Sequence, residues 1–258
     1  MRQNKIKAML KAGKPAIGTM IQEVVNPFII HVIANAKFDF VYVDMEHGRF
    51  SMEGACDLIQ MLRLTNVTPF VRIPNNEYHF IAKMLDAGAE GIMVPRVSCP
   101  EDIHQALRFM KYPPLGERGM AVARGHNDYQ RANNIEFGKH ANSENMLIIQ
   151  IERKDALDEV DELVSIPGVD VALIGPGDLS LDLQTALSPD NPVIIDAIDR
   201  VAEACKKYDV QAGIHWGSTE GLKICHDKGF NLLSGSSDLD IILDGMIALS
   251  KSYKDAIA

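Results

Sequence analysis

Along this chain, short apolar runs alternate with stretches in which apolar residues recur every three or four positions. The runs are PAIGTMI (15–21), FVYVDM (40–45), TPFVRI (68–73), GIMVPRV (91–97), MLIIQIE (146–152), VDVALIG (169–175), QAGIHW (211–216) and NLLSGSS (231–237). Several are continuously apolar, as strands buried on both faces are. Between them the spacing predicts amphipathic helices. MEGACDLIQMLRL follows Ser51, a suitable N-cap; EYHFIAKMLDAG stops at Gly88; PEDIHQALRFMK opens on a proline and two acids. DALDEVDELVSIPG, VIIDAIDRVAEACKKY and DLDIILDGMIALSKSYKDA carry the same period.

Eight strands alternating with helices in 258 residues predict a (β/α)8 barrel, with residues 1–258 forming a single domain. An open doubly wound sheet shares the alternation and is the other fold that fits it. One interval departs from the rhythm. Residues 112–145 are too long for a plain connection, which points to function or to an oligomer contact. The GERG piece within it is expected to form a tight turn presenting Arg118.

The net charge of −9 argues against a nucleic-acid partner, which needs a basic face. Cys56, Cys99, Cys205 and Cys225 are widely spaced with no CxxC pair, which argues for a reducing compartment and against a zinc ribbon. The basic, polar start is unlike a secretory signal, and no stretch is apolar enough to span a membrane. A cytoplasmic protein is expected.

Barrel enzymes gather their reactive groups at the C-terminal ends of the strands. Those positions hold Asp44, Glu46 and His47; Arg72; Gln150 and Glu152; and Gly175, Pro176, Gly177 and Asp178. Glu152 and Asp178 end neighbouring strands, about 4.8 Å apart in a sheet, so both carboxylates can reach one ion. Oxygen ligands without cysteine favour a hard cation such as Mg²⁺ or Mn²⁺, with room for a chelating 2-oxo acid. Alternatively, Asp178 caps the helix that follows and Glu152 merely starts another. Gly175–Gly177 is either an ordinary turn or a place where backbone N–H groups approach an anion. Arg72 is either an ion-pair partner or a donor aimed at a developing oxyanion. His47 is the natural general base, since imidazoles titrate near neutrality, with Asp44 expected to fix its tautomer. Glu46 is left without a role, and His215, at the end of the seventh strand, is a weaker candidate.

VDMEHG, VRIP, LDAGAEGIMVPRV, KYPPLGERG, IIQIE and VDVALIGPGDLS, in this order, resemble the HpcH/HpaI aldolases, metal-dependent class II pyruvate aldolases acting on 4-hydroxy-2-oxo acids. The resemblance runs from about residue 15 to about residue 240. It implies a barrel of the phosphoenolpyruvate/pyruvate-binding type whose last helix packs on a neighbouring subunit, within a hexamer built as a trimer of dimers. It implies Glu152 and Asp178 as ligands of a divalent ion (Mg²⁺, Mn²⁺ or Co²⁺), His47 with Asp44 as the base, and Arg72 as the oxyanion stabiliser. Gln150 then lies beside the substrate, and the Gly175–Pro176–Gly177 backbone holds the pyruvyl carboxylate. The expected partners are a 2-oxo acid and an aldehyde. GRFS after the histidine and GIHWG on the seventh strand depart from the commoner members, which leaves the aldehyde half open.

Three other readings compete. A Schiff-base aldolase needs a strand lysine, and none of the eight runs has one. A citrate-lyase-type acyl-CoA lyase shares the metal and carboxylates. A non-catalytic barrel is the third.

Overall fold

The computed structural model describes residues 2–258. Eight parallel strands close into a barrel in sequence order: β1 (Ala16–Ile21), β2 (Phe40–Asp44), β3 (Thr68–Arg72), β4 (Gly91–Val94), β5 (Met146–Ile151), β6 (Val171–Ile174), β7 (Gln211–His215) and β8 (Leu232–Ser237). Every strand falls within one of the eight apolar runs. Closure through the β1–β8 pairing rules out the open sheet.

The helices are α1 (Lys5–Lys11), α2 (Ile29–Asn35), α3 (Met52–Leu62), α4 (Tyr78–Ala87), α5 (Pro100–Met110), α6 (Asn134–Glu144), α7 (Lys154–Asp158), α8 (Val160–Ser165), α9 (Pro176–Asp182), α10 (Pro192–Tyr208), α11 (Thr219–Asp227) and α12 (Asp238–Ile257). Ser51 caps α3 by accepting from the Gly54 N–H, and Gly88 ends α4 at φ 115°. The stretch expected as one helix over 155–168 is two, α7 and α8, because Glu159 leaves the helical conformation at φ −102°, ψ 13°.

The strand pleat sorts the side chains into two cores. Val41, Val43, Val71, Ile92, Leu147, Ile149, Ala172 and Ile214 point outward and pack under the helices. Phe40, Tyr42, Phe70, Met93, Met146, Ile148, Val171, Leu173 and Leu232 fill the barrel interior, which Ile6 and Leu10 of α1 close from below. The inner fill is tight. Gly18 is glycine because a Cβ there lies 2.3 Å from the Phe40 ring. Following the inward parity upward leads from Phe40 and Tyr42 to Asp44, from Phe70 to Arg72, from Ile148 to Gln150 and Glu152, and on β7 to His215. The polar strand ends therefore form the upper layer of the inner core.

The 112–145 excursion lies elsewhere. Its α6 joins the N-terminal segment, where Asn4 donates to the carbonyls of Glu90 and Glu144 at 3.0 and 3.1 Å. Arg118 is not presented to solvent as expected. It is buried, ion-paired to Asp86 at 2.6 Å, and lies over the Tyr112 ring. The four cysteines are all free, and no described helix is long and apolar enough to cross a membrane.

Candidate active site

The upper layer of the barrel is organised around Asp44. Register pairs Asp44 with Arg72 on the adjacent strand. The guanidinium donates through Nε to Oδ1 at 2.8 Å and through Nη2 to Oδ2 at 2.6 Å. Gln22 Nε2 adds a third bond at 2.7 Å, and the Glu46 N–H a fourth at 3.0 Å. Burial pushes the Asp44 carboxyl up, but these donors and the arginine charge outweigh it and hold it below the ordinary carboxylate range. The expected pairing of Asp44 with the His47 ring is absent. Both carboxylate oxygens already serve Arg72, and only the His47 backbone N–H approaches Asp44, at 3.4 Å.

Glu46, which the sequence left without a role, takes the position beside the imidazole. Its Oε2 lies 4.0 Å from His47 Nε2 and 3.4 Å from Arg72 Nη1, and its Oε1 lies 3.2 Å from Arg96 Nε. One buried carboxylate thus faces two guanidinium groups and a histidine. Burial raises the Glu46 carboxyl despite them. The His47 side chain is 62% exposed, at the rim of the barrel mouth.

Glu46, His47, Arg96, Glu152, Arg153, Asp178, Leu181, Asp182 and Gln184 line one pocket of about 360 Å³. Glu152 is fixed from two sides: Arg96 N donates to Oε1 at 2.6 Å and Gln150 Nε2 donates to Oε2. Its carboxyl is pushed up to about 7, chiefly by burial and then by the negative charges of Glu46 and Asp178. Gln150 Oε1 is buried and accepts no hydrogen bond. Gly175 makes this packing possible, since a Cβ there lies 2.6 Å from Gln150 Nε2 and 2.9 Å from Glu152 Oε2. Pro176 opens α9 and Asp178 follows at its third position, so Gly175, and not Asp178, is the cap.

This donor set suits a hard divalent ion. Two carboxylates line one pocket, an orphaned amide oxygen adjoins Glu152, and no cysteine is among the lining residues. Among the described residues, no three His, Cys, Asp or Glu side chains converge on one point. A two-carboxylate site therefore leaves most coordination positions to water and substrate. The pocket lining contains no lysine, so imine chemistry lacks its nucleophile. None of its residues comes from 112–145.

His215 packs inside the mouth and donates nothing to this pocket. Ser234 Oγ spends its proton on the Ile214 carbonyl at 3.2 Å, so it accepts from His215 Nδ1 at 3.0 Å. Burial, and then the Arg72 charge, push the imidazole down to about 4, which keeps it neutral.

Residues 21–243 match the family model described as HpcH/HpaI aldolase/citrate lyase. The chain belongs to the HpcH/HpaI aldolase/citrate lyase family. Among curated relatives of this family, a 2-dehydro-3,6-dideoxy-6-sulfogluconate aldolase of Pseudomonas putida is 30% identical, over 91% of each chain. A 4-hydroxy-2-oxo-heptane-1,7-dioate aldolase of Escherichia coli is 31% identical, over 82% of this chain and 80% of its own. The crystal structure of an HpcH/HpaI aldolase from Desulfitobacterium hafniense superposes with a TM-score of 0.93 at 30% identity, covering 98% of this chain and 97% of that one. As an HpcH/HpaI protein this chain is a carbon–carbon lyase.

Proposed function

We propose that this protein cleaves a 4-hydroxy-2-oxo acid to pyruvate and an aldehyde, and runs the aldol addition in reverse. The reading rests on one observation above all. Glu152 and Asp178 line one pocket, where burial first and the neighbouring negative charges second lift Glu152 to about 7 beside an unpartnered Gln150 Oε1. A divalent ion such as Mg²⁺, Mn²⁺ or Co²⁺ is what that arrangement fits. Bound there, it supplies Lewis-acid polarisation of the 2-oxo group, worth several kcal/mol.

The chain's own residues do the rest. Gln150 and the Gly175–Pro176–Gly177 backbone orient the pyruvyl carboxylate. His47 takes the proton of the 4-hydroxyl. The C3–C4 bond breaks, the aldehyde leaves, and the electron pair passes through C3–C2 to the 2-oxygen. Arg72, locked by Asp44, offers donors to that oxyanion without reorganising. Glu46 stabilises the imidazolium formed at His47. The proton held at His47 then passes to C3, directly or through water, which yields pyruvate and restores the base.

The test is pyruvate release from a panel of 4-hydroxy-2-oxo acids, with and without chelator and with each ion restored, beside a malyl-CoA-type thioester. Chelator-sensitive release from the oxo acids supports the reading. Cleavage of the thioester alone, or trapping of pyruvate by borohydride, overturns it.

The assembly belongs to the same reading, with residues 1–258 as one barrel domain. Only Asp238 of the twenty-residue α12 is buried, while Ile241, Ile242, Met246 and Ile247 lie open to solvent. A face of that kind is covered by a partner. The helix is assigned to a neighbouring subunit in a homo-oligomer, a hexamer. Sedimentation of Ile242→Glu/Met246→Glu tests it, with dissociation expected.

A further inference from the structure

The pocket has an inner half, where the buried Glu152 lies, and an outer rim, where Asp178, Arg96 and Arg153 are exposed. The inner half suffices for the pyruvyl portion of a substrate. The rim faces whatever the aldehyde portion carries, and its cations have no part in the steps described.

Arg96 is placed with unusual firmness for a rim residue. It follows β4 in the left-handed conformation, at φ 53°, a strained setting for a residue that is neither glycine nor asparagine. Its N–H bonds Glu152, which ties the turn to the inner half. Its side chain then crosses the mouth. Nε lies 3.2 Å from Glu46 Oε1, and Nη2 donates to the Pro74 carbonyl at 3.2 Å. No bond to Nη1 is made among the described residues, and the side chain is 59% exposed.

The charges around it leave room for an anion. Among the described residues Glu46 is the one acid in ion-pair contact with the Arg96 guanidinium, and Arg72 and His47 share it, while Asp178 and Asp182 line the same pocket without pairing with Arg96. Arg153 has no ion-pair partner among the described residues, and the nearby Asp182 accepts from the Lys154 N–H. Arg96 and His47 also touch the same carboxylate from its two ends. A 4-hydroxyl placed at His47 is therefore one carboxylate away from the Arg96 guanidinium.

We propose that Arg96 is a specificity-determining residue that binds an anionic group, a carboxylate or sulfonate, on the aldehyde half of the substrate. The proposal rests on the aldolase reading above for the direction in which the substrate lies. A guanidinium with a free Nη1 in a partly enclosed mouth is suited to such a group, since charge-assisted hydrogen bonds are the strong ones.

The experiment compares two aldehydes of equal length, succinate semialdehyde and butanal, in aldol addition with pyruvate. The enzymes are wild type, Arg96→Asn, which tolerates the left-handed backbone, and Arg96→Lys, which keeps the charge. Arg96→Asn is expected to lose about 10–100-fold in kcat/KM for the semialdehyde, carried by KM, with butanal little changed. Arg96→Lys is expected to recover part of the loss. Equal losses on both aldehydes mean that Arg96 only positions Glu46, and overturn the proposal, as does no loss on either.

A binding measurement needs no turnover. Calorimetry of 2-oxoheptanedioate against 2-oxoheptanoate, neither of which carries the 4-hydroxyl, is expected to favour the dicarboxylate in wild type and to show no preference in Arg96→Asn. Equal affinities in wild type overturn the assignment. Discrimination between these acids by a protein that makes no aldol with any aldehyde sinks the aldolase reading and leaves the anion site standing. Aldol formation without discrimination does the opposite.

Discussion

Asp44 and Arg72 face each other across neighbouring strands and share two hydrogen bonds, at 2.8 and 2.6 Å, inside the barrel. Breaking a buried pair by removing one partner typically costs about 3–5 kcal/mol, because the other charge is left uncompensated. Asp44→Ala is expected to destabilise the fold by that order in urea titration. Removing both charges, in Asp44→Ala/Arg72→Met, is expected to recover part of the loss. Activity stays low in both variants, since the oxyanion donor is unaimed in one and missing in the other.

His47 stands at the rim with its ring open to solvent and Glu46 4.0 Å away. It supports little of the fold, so its loss reads out chemistry. His47→Ala is expected to keep the wild-type urea midpoint and to lose roughly 10²–10⁴-fold in kcat, the usual worth of general-base help. Retained turnover moves the base to another group.

How far the sequence discloses this site depends on whether the pleat extends to a residue. Asp44, Arg72, Gln150 and Glu152 continue strands whose inward parity is visible in their apolar neighbours, so reading strand ends finds them. Glu46 and Arg96 lie just past strand ends, where the two-residue period no longer dictates direction. Only the turn at φ 53° brings Arg96 across the mouth, and nothing in the apolar pattern signals it. The same logic explains why Asp44 does not reach the His47 ring. A spacing of three residues permits contact, but the register partner, 28 residues away in the chain, takes both oxygens first. Arg118 shows the converse limit. A cation in a long polar segment reads as exposed until Asp86 and Tyr112 bury it.

Two glycines of one motif are expected to respond oppositely to a methyl group. At Gly175 a Cβ meets Gln150 Nε2 at 2.6 Å and Glu152 Oε2 at 2.9 Å, whereas at Gly177 nothing lies within 4 Å. Gly175→Ala must displace the Gln150 amide and the Glu152 carboxylate it holds, and disturbing even the hydrogen-bond partner of a ligand costs about 10–100-fold in metal affinity. Gly177→Ala is expected to bind Mn²⁺ like the wild type, as read by calorimetry. Equal behaviour of the two variants removes Glu152 from the proposed ion site.

Far from the mouth, Glu90 contributes a pH-dependent share of the stability. Burial pushes its carboxyl up to about 7, against Arg63 and Arg2, which pull it down. Arg63 Nη1 is 3.7 Å away, and the Glu90 side chain is 16% exposed. The unfolded carboxyl titrates near 4.5, so the folded state binds its proton more tightly. This contribution is fully present below pH 4.5, declines as pH rises, and is lost above about 7. The difference corresponds to roughly 3 kcal/mol at most. Solvent screening and the arginine contact bring the expected effect to about 1–2 kcal/mol. Glu90→Gln keeps the shape without titrating, and Arg63 retains Asp128 at 3.0 Å. The variant is therefore expected to match the wild type at pH 4.5 and to exceed it by about 1–2 kcal/mol at pH 8, in urea titrations at one protein concentration. A stability gain of the same size at both pH values, or none at pH 8, shows that the Glu90 carboxyl titrates no higher in the folded protein than in the unfolded chain.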